Sequence, residues 1–332
     1  MVKKINPSAT MKDWKTLLKI LVSFGLVVWL IERVDWPTVG QILGGVYLPS
    51  IGVYIVLQIT GNIISAAKWR YLAGLQGSAA FSLRDGFFAY LTGAFINNFL
   101  PSTVGGDTYR VLWMSRTSAR ARAFAVVFFD RITGLAALFL FSAIGLALLP
   151  WQLLLVKPGF IFLSAIVFSG TLVILAGLFL IRKYFEIALA LFRQLPWQRI
   201  PMIVSQFQSF ALYRPYGTTL AWAVLFTVVG IGGSNYFLFQ SLGAELSLTG
   251  FFSAIFVATL VANIPISINN IGVKEWAYVF FFGLVGVPVE VAVTAALLSR
   301  LLQMGISFIA LPHYIAERKL HRSAPHGNYS SV

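Results

Sequence analysis

Cysteine is absent from the 332 residues, which excludes disulfides, thiolate metal sites and cysteine nucleophiles. Acidic residues number only 11 and are scattered, so the chain offers no pair of catalytic carboxylates, and it carries neither a Walker loop nor a Ser-His-Asp set. Histidine occurs three times, as His313, His321 and His326, in a stretch that reads as a solvated tail rather than a metal site. No catalytic residue, metal or cofactor is therefore expected. Charged residues of both signs make up 11% of the chain, whereas 58% is hydrophobic and the mean hydropathy is +0.82. That is the composition of an integral membrane protein.

A helix needs about 20 apolar residues to cross the hydrocarbon, and it must satisfy its own backbone there. Six runs meet this reading: Leu17 to Ile31, Ile51 to Ala67, Phe124 to Leu149, Phe160 to Ile181, Tyr216 to Leu242 and Val291 to Pro312. The lysines before the first run resemble the start of a signal peptide, but no small-residue cleavage site follows, so it reads as an uncleaved helix. Two further runs, Phe87 to Leu100 and Phe251 to Ile264, are too short to cross, and each is stopped by a proline, Pro101 and Pro265.

Of the 25 Lys and Arg residues, 20 fall in the N-terminus, in the segments 68–86, 101–123 and 182–215, and in the tail. The excess of basic residues in cytoplasmic loops then puts both termini in the cytoplasm of a multi-pass inner-membrane protein. The count works only if each short run enters and leaves the membrane on one side, as a re-entrant hairpin. A net charge of +14 is a basic cytoplasmic face suited to anionic lipid, and nucleic acid is not implied.

The two hairpins resemble one another. "SLRDGFFAYLTGAFINNFLP" at 82–101 aligns with "SLTGFFSAIFVATLVANIP" at 247–265, and Arg110 then falls opposite Lys274. Each is preceded by two spans and followed by one. The expected fold is thus an all-α polytopic membrane protein of about six full spans plus two re-entrant helical hairpins, arranged as an inverted repeat. It is a single membrane domain over 1–320, with copies at about 14–149 and 159–313, followed by a polar cytoplasmic tail at 321–332. Broken helices at matching positions of an inverted repeat point to a transport site near the midplane.

The breaks carry the candidate chemistry. Pro101, Gly105, Gly106, Pro265 and Gly272 free backbone groups that are tolerated at membrane depth only beside protein or a cavity. A helix restarting near Asp107 would point its amides into such a cavity, with Arg110 in its first turns: either a phosphate site or, with Asp107 pairing at i, i+3, a structural cap. Asn98, Asn270 and Lys274 are the companion head-group candidates. Glu275 beside Lys274 is either a static ion pair or the carrier of a coupling proton. Asp130 and Arg131 are adjacent on a helix, about 100 degrees apart, and so take different partners. Arg131 and Arg300 either contact substrate or hold the hairpin carbonyls in place. Gln58, Asn62 and Asn235 read as interhelical hydrogen bonds.

The blocks "NNFLPSTVGGDTYRVLWM", "VVFFDRITGL" and "IPISINNIGVKEWAYVFFFGLVGVPVEVAVTAALLSR" resemble, in order, the membrane-domain family of lysylphosphatidylglycerol synthases and flippase-like UPF0104 proteins. The resemblance covers roughly residues 10 to 315. It implies a lipid flippase or translocase that moves a phospholipid or polyprenyl-phosphate lipid between leaflets, with a glycosyltransferase or lipid synthase as a candidate partner. Two alternatives stand beside it: a membrane-embedded lipid-modifying transferase, and a non-transporting anchor for such an enzyme. Synthase members carry a soluble aminoacyl-transferase domain after the membrane part. The sequence ends at Val332, about 20 residues past its last span, so lysyl transfer from tRNA is not expected of it.

Overall fold

A computed structural model describes residues 7–77, 81–100, 105–148, 161–177 and 215–316, and among them every regular element is helical. In chain order these are α1 (Pro7–Arg33), α2 (Trp36–Gly44), α3 (Leu48–Leu75), α4 (Leu83–Phe99), α5 (Gly105–Met114) and α6 (Arg120–Leu148). Then come α7 (Ile161–Gly177), α8 (Pro215–Phe226), a π-helical stretch (Thr227–Gly233) and α9 (Ser234–Ser241). The last are α10 (Leu248–Ala262), α11 (Val273–Leu284) and α12 (Val289–Ser307). Among the described residues, four helical stretches are long and apolar enough to cross a membrane: Leu48–Leu75, Arg120–Leu148, Gly217–Ser241 and Val289–Ala316. The expected first span falls within α1, and α7 covers residues 161–177 of the expected fourth. Pro101, the end of the fourth span, the segment 182–214 and the tail at 321–332 lie outside the described residues.

Two readings need correction. The short helix α2 was not expected, although its signals are local: Asp35 precedes it, Pro37 sits in its first turn, and Thr38 Oγ1 donates to Asp35 Oδ2 at 2.6 Å. Helix α3 runs eight residues beyond Ala67, so Lys68 and Arg70 belong to a helix rather than a loop. Lys68 is buried, as is Arg110, and neither contributes to the exposed charge that orients the chain.

The repeated Ser-Leu of the sequence is a pair of helix caps. Ser82 Oγ accepts from Asp85 N and Ser247 Oγ accepts from Gly250 N, both at 3.1 Å, so α4 and α10 start in the same way. Each then meets a break and returns as a second, shorter helix packed against it. In the first hairpin, Gly93 of α4 faces Gly106 of α5 so closely that a methyl on Gly93 would sit 3.0 Å from the Gly106 carbonyl oxygen. Asn97 Oδ1 accepts from Gly106 N at 2.6 Å and caps the return helix. In the second hairpin the break is a short 3-10 turn at Ile268–Asn270, with Asn269 and Asn270 at positive φ (47° and 58°) and Gly272 at 82°. Asparagine and glycine tolerate that region where branched side chains do not.

The hairpins open at opposite ends of the bundle. Trp69 near the end of α3 packs on Phe81 before α4 and on Trp113 at the end of α5, with ring centroids 4.7 and 5.6 Å apart. At the other end, Tyr47 N, just before α3, donates to Ser241 O of α9, which leads into α10. Each hairpin has its own apolar cluster: Trp69, Met114 and Phe129 around the first, and Phe239, Phe251 and Phe282 around the second. The first helix of each packs on the long helix that follows the other. Gly145 of α6 lets the backbone of Ser253 in α10 come close, while Asn98 at the end of α4 donates to Ser307 Oγ of α12 at 2.8 Å. Between the hairpins, α3 crosses the π-helical stretch at Gly61 and Gly230, where an added methyl on Gly61 would lie 2.8 Å from the Gly230 Cα.

Candidate functional site

The break of the second hairpin lies deep along a neighbouring helix. It meets α1 at the middle of its apolar run, where Ile268 N donates to Ser23 Oγ at 2.9 Å and Gly272 packs under Leu26. An ion pair then joins the start of each return helix to the next long helix. Asp107 of α5 pairs with Arg131, and Glu275 of α11 pairs with Arg300 at 2.9 Å. Arg131 and Arg300 are each the twelfth residue of their helix, about 17 Å along it at 1.5 Å per residue. The two acid–arginine pairs are therefore counterparts, and the alignment that set Arg110 opposite Lys274 is not the register that the pairs follow.

Arg110 is enclosed. Its guanidinium donates to Asp130 Oδ2 at 2.9 Å and to Asp107 Oδ1, and stands over the Tyr90 ring, 4.4 Å from its centroid. Asp130 is also held by Lys68 at 3.0 Å, and Lys68 donates to the Asp130 carbonyl at 2.9 Å. Asp130 and Arg131 do take different partners, because neighbours on a helix diverge. A charge within a network like this is stabilised in place: removing one partner strands the other in a low-dielectric interior. Glu275 and Arg300 lock the second tip similarly. Arg300 donates to the carbonyls of Asn269 and Asn270, both at 3.1 Å, while Glu275 Oε2 accepts from Gly272 N at 2.8 Å. Arg300 thus closes the break by binding its free carbonyls.

Lys274 is different. It lines a cavity of about 330 Å³ enclosed by α3, α4, the π-helical stretch, α10, α11 and α12. Among the described residues its ammonium makes no hydrogen bond or ion pair; its neighbour is the Tyr278 ring, 5.6 Å to the centroid. Around it stand Gln58, Asn62, Asn235, Asn263, Asn270 and Gln303. Gln58 and Asn235 also bridge elements as expected, Gln58 donating to Gly230 O and Asn235 accepting from Tyr278 OH, whereas Asn62 donates to Gln58 O in its own helix. The side-chain oxygen of Asn270 is buried and, among the described residues, meets no hydrogen-bond donor. A cation, a ring of amides and an orphaned acceptor can together receive a group carrying both negative charge and a hydrogen-bond donor.

The cavity brings together Lys274 and Asn270 of the expected head-group residues. Asn98 stands one contact away through Ser307, and Arg110 is absent from the lining. Among the described residues of the first hairpin, those that reach it are apolar residues of α4, Leu91 and Ala94. Sequence reasoning missed Lys68 and Gln303. Lys68 is flanked on both sides by residues that continue the helix, a signal that it is not in a loop. Gln303 and Ser307 lie on the face of α12 marked by Arg300, at i+3 and i+7.

Comparisons with known proteins point to membrane proteins. The family model described as Lysylphosphatidylglycerol synthase TM region matches residues 16–310. A UPF0104 membrane protein of Methanocaldococcus jannaschii is 26% identical over 133 residues, a stretch that spans 39% of this chain and 39% of that relative. No solved structure matches.

Proposed function

Since the chain belongs to the lysylphosphatidylglycerol synthase TM region family, a family of multi-pass membrane proteins, we propose that it moves a polar phospholipid between leaflets, binding the head group in the cavity at Lys274. The observation that carries this reading is an ammonium with no ion pair among the described residues, in a chamber of about 330 Å³ inside a bundle whose buried charges are answered by a partner. Lys274 would meet the phosphate, and Asn270 would accept from a head-group hydroxyl or ammonium. Arg110, Asp107, Asp130 and Arg300 act as braces, which is the role their pairing supports. The volume falls at the lower end of ordinary ligand sites, suited to a head group rather than to a whole lipid.

The packing supports two inverted copies of helix, helix, hairpin, helix. Hairpins open at opposite ends, the acid–arginine pairs correspond, and each first hairpin helix leans on the long helix after the other. Such a frame places one site between two access routes, as alternating access requires. Both termini would be cytoplasmic. The transferase alternative would draw on Asp107, Asp130 or Glu275, and each of these carboxylates is already held by a cation.

The test is leaflet exchange of fluorescent phosphatidylglycerol and polyprenyl phosphate in proteoliposomes, wild type against Lys274→Gln. Faster exchange than in empty vesicles, lost in the variant, is expected. Exchange no faster than in empty vesicles for any lipid would shift the reading to a membrane anchor, and a new lipid product formed with a supplied donor would shift it to a transferase.

A further inference from the structure

Arg131 belongs to two cavities at once. On one side, with Asp107, it ends a groove of about 300 Å³ between α5 and α6, walled by Val111, Leu112, Phe124 and Phe128. On the other it lines, with Lys68, Tyr90 and Asp130, a chamber of about 230 Å³. That chamber shares Phe226, Ile231 and Asn263 with the Lys274 cavity, so the three spaces form a series from the outer surface to the centre.

The groove faces outward: Leu112 is 53% exposed and Phe128 45%, and the Phe124 and Phe128 rings stack at 5.8 Å. In a membrane this surface meets acyl chains. Yet the Arg131 side chain at its inner end is 44% exposed, well inside a 29-residue apolar helix. A guanidinium at such depth costs roughly 2.5 to 3.5 kcal/mol on insertion scales unless anions or polar groups meet it. Asp107 meets it, and Asp107 is shared: Arg110 holds one of its oxygens and Arg131 the other. Arg131 can therefore exchange Asp107 for a phosphate without leaving that carboxylate unpaired.

The geometry points to a lateral portal between α5 and α6, in which one acyl chain of the transported phospholipid lies along Leu112, Phe124 and Phe128 while its phosphate passes Arg131 toward Lys274. This rests on the head-group reading of the Lys274 cavity. Groove and charge fit the two halves of one amphiphile: apolar walls run to the membrane, and a cation stands where they end. The portal makes Arg131 a way station, whereas Arg300 holds the second hairpin's carbonyls and Glu275.

The cysteine-free chain allows a direct test. Leu112→Cys is labelled with a bulky maleimide, and the same label on Leu172→Cys, a 70% exposed position of α7 outside the groove lining, serves as control. Exchange is read in phosphatidylethanolamine vesicles doped with fluorescent phosphatidylglycerol, alongside binding of glycerol 3-phosphate, a head group without chains. The label at 112 should bring exchange down to that of empty vesicles while head-group binding persists; the label at 172 should change neither. Unaltered exchange with the label at 112 overturns the portal, as does equal loss with the label at 172. Lys274→Gln separates the two ideas. Exchange lost in that variant but indifferent to the label at 112 leaves the cavity standing and removes only the portal, whereas exchange indifferent to both removes both.

Discussion

Replacing Lys274 with methionine should raise stability and abolish transport together. An ammonium near the centre of a bilayer costs roughly 2.5 to 3.5 kcal/mol on insertion scales. The Tyr278 ring at 5.6 Å returns about 0.5 to 2 kcal/mol of this by cation–π attraction. The difference, about 0.5 to 3 kcal/mol, bounds the gain from above, since the amides of Gln58, Asn270 and Gln303 line the same cavity and solvate part of the charge. Methionine is close in length, flexible, and brings no polar group to satisfy. Equilibrium unfolding in mixed micelles measures the first effect, and leaflet exchange the second. Destabilisation of about 1 kcal/mol or more would make Lys274 a structural brace, with Tyr278 its main partner, on the scale of a desolvated cation–π contact. Undiminished exchange would remove the head group from this cavity.

The braces should behave in the opposite way. Arg300→Met strands the Glu275 carboxylate and frees the Asn269 and Asn270 carbonyls, a loss of about 3 to 5 kcal/mol, and Glu275→Gln in the same chain should recover a large part of it in the same unfolding assay. Asp130→Asn leaves Lys68 and Arg110 facing a neutral amide, and a loss of similar size, about 3 to 5 kcal/mol, is expected. Gly106→Ala drives a methyl into the Gly93 backbone and should cost about 1 to 3 kcal/mol by overpacking, read as earlier unfolding of the first hairpin by hydrogen exchange. Ser118→Cys, in the α5–α6 turn, should react with an impermeant maleimide from the cytoplasmic side alone; labelling from outside would reverse the assigned orientation.

Much of the frame was legible in the residues. Apolar runs long enough to cross, and two that fall short before a proline, follow from how far a helix rises per residue. The Ser-Leu starts of α4 and α10 were visible as a repeat, and their meaning as caps is local chemistry that needs no neighbour. Asn269, Asn270 and Gly272 marked a break because few other residues accept positive φ.

The sequence by itself determined the membrane class, most of the long apolar helices and the position of the second break, since each is written in residues near one another in the chain. Which charges answer each other was decided only by the tertiary structure. Lys68 meets Asp130, Arg110 is enclosed by two carboxylates, and Lys274 faces the cavity, because helices far apart in the chain bring these groups together. An apolar helix such as α4 has no polar face to declare which side turns inward. Packing alone makes that choice, and it separates the cation free to bind from those held as braces.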